Sequence, residues 1–151
     1  MNLEQYNIEV SPDFHEYQFC SEGPKGAIKK IVRYTKVIVP DFAYYNLGFG
    51  DWDEKESRLD DFVISNNQDA ERVLATVAAT VIDFSNHFPG ALLYAKGSTL
   101  SRTRRYQMGI NKYWHEIDPL FEVYGLIENE GFMPFEPGRN YLAFLVRRKN
   151  M

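Results

Sequence analysis

Five basic residues fall between Lys96 and Lys112 with no acidic residue among them: Lys96, Arg102, Arg104, Arg105 and Lys112. Arginine carries a rigid planar fork of donors that matches the oxygens of a phosphate. The run follows Gly97-Ser98-Thr99, where an apolar strand turns into a helix. The first amides of a helix have no partners of their own and attract anions. Ser98 and Thr99 add hydroxyl donors beside them. The candidate ligand-binding set is therefore Lys96, Gly97, Ser98, Thr99, Arg102 and Arg105. Its natural ligand is a phosphate-bearing molecule or a nucleic-acid backbone. Tyr106 lies one helical turn after Arg102, so beside such a site it is a candidate proton donor. It equally suits a core position on an amphipathic helix. The competing reading pairs the arginines with the acidic stretch Asp51 to Asp61. GSTLSR does not match the GxxxxGK[ST] phosphate loop, so an ATPase is not expected.

Other catalytic patterns are missing. His15, His87 and His115 have no metal-ligand spacing, and no metal site is expected. Cys20 falls in a predicted strand with no obvious base and reads as a core or edge residue. There is no GxSxG elbow. Asp51-Trp52-Asp53 lacks the glycine and glutamate of a calcium loop. Asp51 to Asp61 itself reads as a solvated loop. The final Arg147-Arg148-Lys149 run reads as a solvated tail or a second basic point.

The elements that must position these residues come from periodicity and turn chemistry. Tyr6 to Val10 is a short strand candidate. Phe14 to Cys20 and Ala27 to Val39 flank the turn Ser21-Glu22-Gly23-Pro24-Lys25-Gly26 and predict a hairpin. Phe42 to Phe49 is a third strand. Asn66 or Asn67 caps a helix running to about Phe88, with Ala70, Val73, Leu74, Val77, Ala78, Val81 and Ile82 on its apolar face. Ala91 to Lys96 is a strand, Thr99 to Ile117 a second helix, and Phe121 to Glu128 a strand. Phe132 to Asn140 is loop-like, and Tyr141 to Arg148 closes the chain as a strand. The expectation is one α+β domain over 1–151, a single mixed, mostly antiparallel sheet with two main helices, in the order β-β-β-α-β-α-β-β.

The 151 residues suit one domain with a core, and a net charge of -4 excludes a general nucleic-acid coat but not a local basic site. One cysteine permits no internal disulfide and fits a reducing compartment. No signal peptide or bilayer span is visible, so a cytoplasmic protein without a membrane partner is expected.

The stretches SEGPKG (21–26), YNLGFGDWD (45–53), VLATVAATVIDF (73–84) and KGSTLSRTRRYQ (96–107) resemble a small bacterial family of unknown function. The element order is also similar to the central and C-terminal part of GCN5-related N-acetyltransferases. That resemblance implies acetyl-coenzyme A as cofactor, its pyrophosphate at the helix near Asn67, and Tyr106 as general acid. Without it no cofactor is expected. The three functional expectations are a binding or accessory protein with an anion site, an acyl-coenzyme A-dependent N-acyltransferase-like enzyme, and an oligomeric protein-interaction module. The last would use Phe or Tyr residues around 132–135, with a protein partner or a second copy.

Overall fold

The computed structural model describes residues 5–60 and 67–149; Asp61 and Asn66 lie outside them. The observed strands are β1 Glu9–Val10, β2 Glu16–Gly23, β3 Gly26–Ile38, β4 Ala43–Asp53, β5 Arg58–Asp60, β6 Leu93–Ala95, β7 Phe121–Ile127, β8 Gly131–Pro134 and β9 Phe144–Arg148. The helices are α1 Ala70–His87, α2 Leu100–Lys112 and α3 Trp114–Ile117. Strand pairing follows the order β1-β2-β3-β4-β6-β9-β7-β8, with β5 on β4. All the pairings described are antiparallel except β4 with β6. The α+β class and the mixed, mostly antiparallel sheet are as expected.

The expected two helices and eight-element order need correcting. The second helix breaks at Tyr113, which leaves helical geometry at φ -108° and ψ 19°. The following turn, α3, sets Trp114 against Phe135 at 4.8 Å between ring centroids. The acidic stretch is not a loop either. β4 continues through Asp53, and Asp53 Oδ1 accepts from the Lys55 and Glu56 amides to fold a turn into β5. Phe132 to Pro134, expected as part of a loop running to Asn140, instead belongs to the exposed strand Gly131–Pro134 on β7.

The chain divides into two compact units. One comprises Asn2–Thr35 and Gly48–His87. Its hairpin β2–β3 forms where Gly26, at φ +87°, supplies a turn conformation that a side chain would strain. Tyr17, Phe19, Val32 and Tyr34 are buried there, and Tyr34 stacks on Phe84 of α1 at 4.2 Å. The buried face of α1 differs from the predicted one. It holds Val73, Thr76, Val77, Thr80 and Phe84, whereas Leu74, Ala78, Val81 and Ile82 are half-buried. Thr76 and Thr80 are fully buried because their hydroxyls are satisfied. Each bonds a carbonyl of its own helix, and they also meet the Tyr6 amide and the Tyr34 hydroxyl, both at 2.9 Å.

In the same unit Lys30 and Asp51 form a buried ion pair. Tyr17 donates to Asp83 at 2.7 Å, and burial followed by the Asp83 carboxylate pushes its phenol up from the ordinary tyrosine range. Tyr6 and Ser21 both donate to Asp69 Oδ2, just before α1. Asn67 joins this clasp, accepting from the Lys25 amide at 2.7 Å and donating to Ser21 and Gly26.

The other unit comprises Lys36–Leu47 and Phe88–Met151. Here β6 lies between two strands, parallel to β4 (Tyr45 opposite Leu93) and antiparallel to β9 (Leu93 opposite Val146). Leu47, Leu93, Phe121, Val123 and Phe144 are buried. Phe135 and Tyr141 close over Phe144 at 6.1 and 6.0 Å. The Tyr141 ring lies so close to Gly125 that a Cβ there would sit 2.1 Å from it. The opposite strand positions carry Tyr44 and Tyr94, whose rings run in a chain from Phe42 to Phe132 at 5.8–6.4 Å spacing.

Candidate anion site on helix α2

β6 ends at Ala95, and Lys96 to Thr99 carry the chain into α2. Gly97 is buried, and its amide donates to Thr103 Oγ1 at 3.0 Å. A Cβ at Gly97 would lie 2.4 Å from the Thr103 nitrogen and 2.5 Å from Arg102 Cβ. The glycine is there because the loop presses flat against the helix. Thr99 is the N-cap: its extended backbone stops the helix, and its hydroxyl accepts from the Arg102 amide at 3.2 Å. The Thr103 amide donates to the Thr99 carbonyl at 3.1 Å.

The candidate residues are therefore brought onto one loop and the first two turns of one helix. Lys96 and Arg105 are exposed, while Ser98, Thr99, Arg102 and Tyr106 are half-buried. Arg104 reaches Gln107 Oε1 at 3.4 Å. Lys112 is exposed, with its ammonium 5.6 Å from the Tyr113 ring. The helix has no acidic residue in its first turn or anywhere along Leu100–Lys112.

Charge is divided unequally between the units. Lys36–Leu47 with Phe88–Met151 holds ten Lys or Arg against seven Asp or Glu; Asn2–Thr35 with Gly48–His87 holds seven against fourteen. The overall -4 is the sum of a basic unit and an acidic one.

Two features escape sequence reading. Gln107, 5% exposed, anchors the loop before β9: its amide group donates to the Arg139 carbonyl and to Asn140 Oδ1, and its oxygen accepts from the Tyr141 amide at 3.0 Å. A polar residue one helical turn after Thr103 was the one available signal. The second is exposure of Leu100 and Met108, at 60% and 67%. Among the described residues, no group of His, Cys, Asp or Glu is placed to hold a metal ion, and no helix is long and apolar enough to cross a membrane. Cys20 is exposed on β2.

These features define an α+β protein whose basic helix follows an interior strand of one unit. The chain belongs to the Family of unknown function (DUF6934), whose model matches residues 2–149. The match spans all four stretches that carried the resemblance to an uncharacterised family. No curated protein and no solved structure matches the chain.

Proposed function

We propose that this protein is a binding or accessory protein that holds a phosphate-bearing ligand on α2. The observation that carries the reading is a helix with Arg102, Arg104, Arg105 and Lys112, and no carboxylate, in the basic unit of an otherwise acidic chain. Arginine forks at exposed and half-buried positions suit phosphate oxygens, and the unit's excess positive charge raises the local concentration of an anion. The test is a thermal-shift and binding screen of nucleotides, pyrophosphate, and short DNA and RNA, repeated on Arg102→Ala/Arg105→Ala. A ligand whose stabilisation disappears in the double variant supports the reading. Absence of binding to every anion at low salt overturns it.

An acyl-coenzyme A-dependent N-acyltransferase-like activity is the second reading. It is favoured by the parallel pairing of β4 with β6, followed by α2 carrying Tyr106. Against it stands Asp69, whose carboxylate occupies the start of α1, where the resemblance implies a pyrophosphate. A protein-interaction role draws on the ring chain from Phe42 to Phe132, with Phe42 56% and Phe132 38% exposed. Light scattering of the purified protein separates self-association from a heterologous partner.

A further inference from the structure

The helix geometry narrows the class of anion. A site for one phosphate, nucleotide or coenzyme converges several donors on one point, commonly the amides at a helix start. Here that start is partly engaged: the Arg102 amide bonds Thr99 Oγ1, and the Gly97 amide just before the helix bonds Thr103 Oγ1. The cations instead run along the helix. At 1.5 Å per residue, Arg104 and Lys112 stand about 12 Å apart along the axis, too far to share one phosphate. The exposed positions of α2 are Leu100, Ser101, Arg105, Met108 and Lys112. They include no aromatic ring, and single-strand binders rely on aromatic rings to stack bases. They also include no carboxylate, the usual partner for a cytosine edge.

We infer that, if α2 is an anion site, its ligand is the sugar–phosphate backbone of duplex DNA, bound without regard to base sequence. Charge complementarity chooses the occupant: Arg105 and Lys112, exposed two turns apart on one side of the helix in the basic unit, face a polymer with regularly spaced phosphates. Arg105 and Lys112 meet phosphates, the half-buried Arg104 beside them turns from Gln107 to a third, and Leu100 and Met108 lie against the sugars. The helix, about 10–12 Å across with its side chains, fits the B-form major groove of about 12 Å, whereas the major groove of A-form RNA is too deep and narrow.

The experiment is fluorescence anisotropy of the full chain with two 20-bp DNA duplexes of unrelated sequence, oligo-dT of equal length, a duplex RNA, and ATP as competitor. The comparison variant is Arg105→Glu/Lys112→Glu, with Lys25→Glu/Lys55→Glu, both exposed, as a charge-matched control in the other unit and circular dichroism to verify folding. Both duplexes should bind equally. Raising NaCl from 50 to 200 mM should weaken binding roughly 40-fold, as about three neutralised phosphates require. The helix variant should lose at least roughly tenfold, the same per-contact scale, and Lys25→Glu/Lys55→Glu should not. Equal or tighter binding of ATP, oligo-dT or RNA that is lost in the helix variant leaves α2 an anion site but overturns duplex DNA as its ligand. Duplex binding that ignores the helix variant also overturns the inference. Failure of every probe removes both this inference and the anion reading beneath it.

Discussion

The Gly97 amide and the Thr103 hydroxyl meet at 3.0 Å, and this single bond fixes how β6 delivers the chain to α2. The loop can approach so closely only because residue 97 has no side chain.

Gly97→Ala should therefore destabilise the protein by about 1–3 kcal/mol, because the new methyl meets helix backbone rather than a side chain that can swing away. Urea denaturation of the variant checks this. A neutral result would mean that the loop stands further from the helix.

Gln107→Leu should cost about 1–3 kcal/mol for the buried Tyr141 amide that it strands, with a smaller loss at the part-buried Arg139 carbonyl. The loss should be accompanied by faster exchange of the Tyr141 amide with solvent. Stability unchanged within error would show that water replaces the glutamine at no cost.

Lys30→Ala should be among the most damaging surface-independent changes, at about 3–5 kcal/mol, since it leaves Asp51 buried without its cation. Lys30→Met combined with Asp51→Leu should recover most of that loss. Additive damage in the double variant would mean that packing, not charge, is what each residue supplies.

Tyr17 and Tyr6 both titrate higher in the folded chain than the ordinary value, by burial first and by the carboxylates of Asp83 and Asp69 second. A raised folded pKa means that the folded state keeps the proton more tightly. The associated stability is complete below about pH 10, the unfolded tyrosine value, and is lost as pH climbs from there through the folded pKa. Denaturation midpoints should fall above pH 10. Tyr17→Phe should flatten that fall and lower stability at neutral pH by about 1 kcal/mol for the missing hydrogen bond. A limb as steep in the variant as in the parent would remove Tyr17 as its source.

The strands and helices that sequence patterns exposed were those with a clear period or strong turn residues. The β2–β3 hairpin was legible because Gly23-Pro24-Lys25-Gly26 admits little else. Helix α1 was legible in existence but not in orientation. Its apolar residues pointed to Val81 and Ile82, whereas the buried face includes Thr76 and Thr80, whose polarity is cancelled by partners distant in sequence. The β4–β5 turn was hidden for a related reason. Acidic residues suggest solvent until Lys30, 21 positions away from Asp51, is seen to answer one of them. Around α2 the loop, the cap region and the exposed arginine were readable from local chemistry. The break at Tyr113 and the Gln107 anchor depend on Phe135 and Tyr141, which no local window contains.

Tyr6 belongs to no helix or strand, yet its amide is held by Thr76 and its hydroxyl by Asp69. An untethered segment of this kind would rearrange in nanoseconds to microseconds. Tied at both ends of one residue to α1, it can depart only when that helix loosens, so its clock is that of local unfolding, microseconds to seconds. The segment keeps time with the helix rather than with the solvent.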